Sequence, residues 1–361
     1  MVLYRKYRPQ TLSDLDSATL RERLTRILSA TELPHAFLFC GPKGTGKTSA
    51  ARIVAKIINC EQKTKNKKPR TKNSEQITTQ NIEPCNTCES CIAITEGRHL
   101  DILEIDAASN RGIDEIRELR ERIRLAPVAA KIKVYIVDEV HMLTTEAFNA
   151  LLKTLEEPPP HAMFILATTQ IEKLPDTIVS RCIRIDFRQA TLEELIHSLK
   201  RVIQGEKLKI SDDVLALIAG FADGSFRDAT KLLEQAIAED ALSIAKLSLI
   251  LGKDQDAPKR LLELLHQKNS RESLVHLWEL AQKGTDAKIL VSDILNMLHE
   301  KLLFNYKVVP TVVDPLPQIT DVKEILLLVK LFSRVYTELK YAKISFLPLE
   351  TAVVEWCEAG K

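Results

Sequence analysis

The run Gly41-Pro42-Lys43-Gly44-Thr45-Gly46-Lys47-Thr48 carries the complete G-x-x-x-x-G-K-[ST] pattern, with Ser49 next in line. Each residue type in it answers a demand of a polyphosphate. Glycines free backbone N–H groups to curl around an anion. Lys47 brings a cation to the terminal phosphates, and the Thr48 hydroxyl can hold Mg²⁺. Just upstream, Ala36–Cys40 is a short apolar run suited to a buried strand. From Lys47 to Ile58 the spacing is helical, with good helix formers. The loop therefore opens onto a helix N-terminus, whose partial positive charge favours phosphate. Residues 41–49 form the candidate nucleotide site.

Hydrolysis asks for more than a phosphate cradle. Val134-Tyr135-Ile136-Val137-Asp138-Glu139 is an apolar strand ending in two carboxylates. At that end they face the phosphates, where Asp138 can order the Mg²⁺ shell and Glu139 can orient or deprotonate the attacking water. Phe164–Thr169 is a second buried strand, with hydroxyls at its tip that suit a γ-phosphate or its water. Thr is at home in strands, so that signal is weak alone. Ser180-Arg181-Cys182 precedes the last strand. Arg181 fits either a phosphate contact through its planar fork or a surface ion pair.

The elements that must position these residues follow from hydrophobic period. Strand-like runs at Ala36–Cys40, Asp101–Asp106, Lys133–Val137, Met163–Thr168 and Ile183–Phe187 alternate with helical stretches such as Ile113–Leu125 and Thr145–Glu157. That alternation predicts a mostly parallel sheet covered on both faces, with ligands beyond its carboxyl ends. Residues 61–84 interrupt it with six lysines and arginines and almost no apolar residues. They read as a solvated insertion or a nucleic-acid arm, and no aromatic residue interleaves with the charges to favour the arm. Beyond Phe187 the pattern is helical: Thr191–Ile203 (Thr191 and Glu194 forming a capping box), Asp212–Phe221 and Ser225–Ala238. Leu-rich helices continue from about Leu242 to Glu358, broken at Val308–Gln318.

At 361 residues, 45% apolar and 28% charged, the chain has the makeup of a soluble protein of two or three domains. A net charge of +2 gives no global pull towards nucleic acid. The charged start Met1–Pro9 is not a secretory signal, and no apolar stretch reaches the length of a membrane span, so a cytoplasmic location without membrane contact is expected. Seven cysteines without an export signal argue against disulfides. Cys85, Cys88 and Cys91 form C-x-x-C-x-x-C with Cys60 upstream, while Cys40, Cys182 and Cys357 read as small buried residues.

Together these motifs resemble the gamma/tau family of the bacterial DNA polymerase III clamp loader, AAA+ ATPases. The likeness is carried by Tyr4–Pro9, Asp106–Asn110, Asp138–Leu143, Ala147–Pro159, Ser180–Cys182 and Gly224–Ala229. It is strong from residue 1 to about 240 and rests on helical pattern beyond. The resemblance implies an α/β P-loop AAA+ domain over 1–188, with a zinc module at 60–97 that contains the flexible basic insertion. A helical lid would follow at 189–241 and an all-α oligomerising collar at 242–361. The chain stops near the collar's end, like the short gamma form.

The same resemblance implies residue roles. Arg181 matches an arginine finger that acts on ATP held by a neighbouring subunit, Arg227 matches sensor 2 on the lid, and Thr169 matches sensor 1. Cys60, Cys85, Cys88 and Cys91 match a structural zinc site. The longer first gap costs only about 1 kcal/mol of loop entropy, against roughly 10–16 kcal/mol from a structural zinc. Arg111, Lys153 and Lys173 fall at or beside positions lining a DNA channel. Implied cofactors are ATP, Mg²⁺ and Zn²⁺. Implied partners are delta, delta-prime and further gamma/tau subunits, the sliding clamp and the backbone of primed DNA. Leu15-Asp16-Ser17-Ala18 departs from the family's Gly-Gln pair beside the base, leaving base recognition open. Two rivals stand beside this motor: a non-hydrolysing delta-prime-like subunit, and a zinc-ribbon nucleic-acid-binding protein with a regulatory nucleotide site.

Overall fold

The computed structural model describes residues 2–62, 82–109, 121–244, 246–247, 256–308 and 316–358. The chain divides into two compact units, Met1–Glu239 and Asp240–Lys361.

The first unit is built on five parallel strands: β1 (Ala36–Cys40), β2 (Ile102–Asp106), β3 (Lys133–Asp138), β4 (Ala162–Thr168) and β5 (Ile183–Asp186), in the order β2-β3-β4-β1-β5. Composition explains the order. β1 and β4 are buried throughout and β3 up to its last residue, as near-continuous apolar runs require when both faces are covered. β2 and β5 expose Glu104, Asp106, Arg184 and Asp186 and form the edges. Successive side chains point to opposite faces. Phe37 and Phe39 join Ile136 and Ile165 on one face, while Leu38 joins Tyr135, Phe164 and Leu166 on the other.

Helices cover both faces. α1 (Leu3–Lys6) and α2 (Ala18–Leu28) precede β1, and α3 (Lys47–Asn59) and α4 (Glu89–Glu96) follow it. α2 buries Leu20, Leu24 and Leu28, a four-residue repeat that the sequence reading passed over. α3 buries Ala50, Ala51, Ile53, Val54 and Ile57 against the first face. α5 (Thr145–Glu156) lays Phe148, Leu151 and Leu155 on the second face, and α6 (Asp176–Val179) leads to β5. Of the expected helix Ile113–Leu125, residues 121–124 are helical and 110–120 lie outside the described residues.

α7 (Leu192–Gly205), α8 (Asp212–Phe221) and α9 (Phe226–Ala238) complete this unit. The capping box at Thr191 and Glu194 is present, with the Glu194 N–H 3.3 Å from Thr191 Oγ1 and the Thr191 N–H 3.0 Å from Glu194 Oε2. The second unit holds α10 (Ala257–His266), α11 (Ser270–Gln282), α12 (Ala287–Asn305), α13 (Val322–Glu338) and α14 (Leu347–Glu358) around a core that includes Leu261, Leu277, Ile294, Leu328 and Phe332. Asn269, Asp286 and Asp321 cap three of these helices. Residues 309–315, within the expected break, lie outside the described residues.

Candidate active site

Parallel register sets the strand ends in a row: Asp106 opposite Asp138, and Cys40 opposite both Thr168 and Asp186. The loop leaving β1 turns at once. Gly41 has φ +152°, and a Cβ there would meet Phe187 O at 2.0 Å, so only glycine passes. Gly44 (φ +79°) lies under the lid: a Cβ would meet Ser225 Oγ at 2.0 Å, and the Phe226 N–H donates to Gly44 O (3.1 Å). The lid therefore touches the phosphate loop itself.

Lys47 begins α3, 6% exposed, and its ammonium donates to Gly41 O (2.7 Å) and Pro42 O (2.8 Å). Burial holds its pKa below the ordinary lysine value, against the pull of Glu139 and Asp138. Thr48 Oγ1 donates to Asp138 Oδ2 (2.7 Å), bringing together two groups that the sequence separates by ninety positions. Glu139 adopts a left-handed backbone (φ 48°), a strained conformation for a residue with a Cβ. Its Oε2 accepts from Thr169 Oγ1 (3.0 Å). His141 stands behind, with Nδ1 3.0 Å from Thr168 Oγ1 and 3.4 Å from Glu139 Oε2. His141 was missed as a site residue because its role depends on a three-dimensional neighbour, not on spacing.

These groups line a cleft of about 780 Å³. Lys43 to Ser49, Asp138, Glu139, Thr169 and Arg227 all line it. So do Tyr7, Pro9, Leu15, Asp16, Leu20, Ser198 and Val202, an apolar slot with a polar rim of the kind a base occupies. Asp16 was also missed. Its side chain is 4% exposed, Oδ2 accepts from an Arg201 guanidinium nitrogen (2.6 Å), and Oδ1 pairs with His197 Nδ1 (2.7 Å). The segment that departs from the family pattern is thus tied to α7 of the lid.

Arg181 is not among the lining residues. One guanidinium nitrogen donates to Glu156 Oε1 (2.7 Å) and the other to Thr177 O (2.8 Å). Its adjacent Cys182 is only partly buried, unlike buried Cys40 and Cys357, because β5 is an edge strand. Burial still pushes the Cys182 thiol up to about 12. Lys153 on α5 and Lys173 after β4 are exposed, and Arg111 lies outside the described residues.

The sulfurs of Cys60, Cys85, Cys88 and Cys91 lie within 4.8 Å of one another, with Cys85 Sγ 3.9 Å from Cys91 Sγ. A tetrahedral ion with sulfur arms of about 2.3 Å demands sulfur edges of about 3.8 Å, so the donor set fits a closed four-thiolate zinc site. Backbone N–H groups of Cys85, Cys88 and Cys91 point at the sulfurs of Cys60, Cys85 and Cys88 (3.5, 3.3 and 3.5 Å). Burial opposes a thiolate at Cys85, but N–H donors from Thr87 and Cys88 outweigh it and bring its pKa to about 6. Residues 63–81 of the basic insertion lie outside the described residues. Its return end is not solvated, however: Ile82 is buried, and the Glu83 carboxylate accepts from the N–H groups of Leu12 (2.7 Å) and Ser13 (2.8 Å).

Two family models match consecutive stretches. One, described as DNA polymerase III, delta subunit, covers residues 17–191; the other, DNA polymerase III clamp loader subunit, ATPase lid domain, covers residues 194–244. DNA polymerase III subunit gamma of Buchnera aphidicola subsp. Schizaphis graminum is 34% identical over 82% of this chain and 79% of its own length. The chain belongs to the DNA polymerase III gamma/tau family. Subunit tau of Bacillus subtilis is 39% identical over 99% of the chain and 63% of its own length, and that of Escherichia coli 39% over 82% and 44%. The chain thus spans about half to two thirds of these tau relatives. As a gamma/tau family member it carries the AAA+ arrangement seen above: a parallel P-loop sheet, an ATPase lid that begins in α7, and a helical C-terminal part. Among the described residues no helix is long and apolar enough to cross a membrane.

Proposed function

We propose that this chain is an ATP-hydrolysing motor subunit of a clamp loader, opening a sliding clamp and placing it on primed DNA during replication. The observation that carries this reading is the intact pairing of Thr48 with Asp138 and of Glu139 with Thr169 across one cleft. Thr48 and Asp138 would hold a Mg²⁺, which would supply charge neutralisation at the phosphates when bound. Within the 41–49 loop, residues 43–49 line the cleft and wrap the phosphates with backbone N–H groups, and Lys47 exchanges its carbonyl partners for phosphate oxygens. Glu139, aimed by its left-handed backbone and backed by His141, orients the attacking water. Thr169 reports the state of the terminal phosphate to Glu139. Arg227, on the lid, reads the same phosphate from the other side.

Arg181 works in trans. It is turned away from its own cleft and free to enter a neighbour's once its exposed pair with Glu156 yields, at little cost. Cys60, Cys85, Cys88 and Cys91 hold a structural Zn²⁺ within a module at 60–97. The domain divisions are 1–188, 189–241 and 242–361, the last an oligomerising collar. Lys153, Lys173 and Arg111 contact the DNA backbone, giving sequence-tolerant, salt-dependent binding. The match to a delta-subunit model raises a non-hydrolysing role. The complete P-loop and the Asp138-Glu139 pair favour the motor.

ATP turnover by the purified protein, alone and with partner subunits, clamp and primed DNA, tests this reading. Turnover that rises with clamp and DNA supports it. Binding without turnover in the full assembly overturns it in favour of the delta-prime-like role.

A further inference from the structure

The segment before β1 is held by the lid. The Leu3 N–H donates to Glu234 Oε1 (3.4 Å), the Arg227 guanidinium lies 5.7 Å from the Tyr4 ring centre, and Lys6 Nζ and Tyr7 Oη both donate to Glu206 Oε1 (2.6 and 2.9 Å). Arg8 follows. Pro9 stiffens the chain after it, and Gln10 Nε2 donates to Arg8 O (3.0 Å), so the side chain leaves a fixed backbone. Arg8 lines the cleft together with Lys47, Thr48 and Arg227.

The half-buried Arg8 guanidinium makes no hydrogen bond or ion pair with any described residue. Glu104 is the acidic neighbour it feels, yet both Glu104 oxygens are occupied by Arg52. Arg227 likewise has no ion pair among the described residues. Burial, and then the charge of Arg52, hold the Arg8 pKa below its ordinary value. The cleft also holds carboxylates, but Asp138 and Glu139 face Thr48 and Thr169, Asp16 is taken by Arg201 and Glu104 by Arg52, so two partly desolvated guanidinium groups are left to meet an anion.

We propose that Arg8 is a second phosphate-binding guanidinium of this cleft, acting with Arg227 on the polyphosphate of a bound nucleoside triphosphate. The proposal rests on the nucleotide reading of the P-loop and deepens it. Arg8 and Arg227 sit on segments joined to each other through Tyr4, so lid closure delivers both forks together. A planar, bidentate donor suits phosphate oxygens, and a lysine supplies only the charge.

The test uses the full chain and equilibrium binding of a non-hydrolysable ATP analogue and of ADP. Wild type is compared with Arg8→Ala, Arg8→Lys and, as the P-loop control, Lys47→Ala. Arg8→Ala is expected to weaken the triphosphate by about tenfold or more and ADP clearly less, with Arg8→Lys recovering part of the loss. Without nucleotide, its melting temperature should equal or exceed that of wild type, because Arg8 gives up no protein partner. Wild-type affinity for the triphosphate in Arg8→Ala, with Lys47→Ala unable to bind, overturns the proposal and leaves the P-loop reading standing. A lower melting temperature with equal losses on both nucleotides also overturns it, marking Arg8 as structural. If wild type binds neither nucleotide, both readings fall.

Discussion

The four-thiol cluster and the cleft are both built to hold ions, in opposite ways. The cluster draws three donors from residues 85–91 and the fourth from Cys60, the residue that ends α3. Its polar surroundings are largely local N–H groups. The cleft takes residues from segments as far apart as Tyr4 and Arg227, and leaves Arg8 and Arg227 without an ion pair among the described residues. One site is complete once the end of α3 meets the segment 85–91; the other keeps two guanidinium groups unpaired among the described residues until an anion arrives. α3 joins them, with Lys47 and Thr48 at its start and Cys60 at its end. On the function proposed above, the cluster is an anchor at one end of the helix whose other end carries Lys47 and Thr48.

The largest effect should come from undoing that anchor. Cys88→Ser is expected to lower metal content from about one zinc per chain to none, and the midpoint of thermal unfolding by about 10 °C or more. Metal analysis and melting curves check it, and full metal content in the variant would break the comparison. Next comes the residue that belongs to neither site within its own chain. Arg181→Ala should cut turnover by the reconstituted assembly by about three orders of magnitude, while ATP binding to the isolated subunit is unchanged. Normal turnover there would return Arg181 to the role of a surface ion pair.

A smaller change is expected at the lid. Asp16→Ala removes a buried acceptor of Arg201 and His197, worth about 2 kcal/mol. Amide exchange in α7 should accelerate by roughly 30-fold, and ATP affinity should fall with little change in turnover at saturation. Unaltered exchange would show that Asp16 does not fasten the lid. The smallest effects belong to the surface. Lys153→Ala and Lys173→Ala should each reduce the salt dependence of DNA affinity by about one in slope. Their ATPase without DNA should stay at the wild-type level, and an unchanged slope would remove that residue from the DNA-contacting set.

How much of this was legible in the chain varies by element. β1, β3 and β4 read directly because full burial on both faces demands uninterrupted apolar runs. α2 did not, although Ser17 precedes it and Leu20, Leu24 and Leu28 give a four-residue repeat, because these signals stand among Arg21, Glu22, Arg23 and Arg26, outside any chemical motif. Lys47, Thr48, Asp138 and Glu139 were found because their chemistry is written in contiguous motifs. His141, Asp16 and Arg8 were not, since each acquires meaning only from a neighbour farther along the chain: Thr168, Arg201 and Arg227.

The sequence by itself determined the phosphate loop, the soft-donor cluster, the parallel sheet and the helical remainder, because residue type and short-range period encode each of them. Tertiary structure alone decided which charges go unpaired in the cleft, that the lid rests on Gly44, and that the departure at Leu15–Ala18 is fastened to α7 through Asp16. Those outcomes depend on sub-ångström fit and on charge balance between segments up to about two hundred positions apart. Local propensity carries no information at that range.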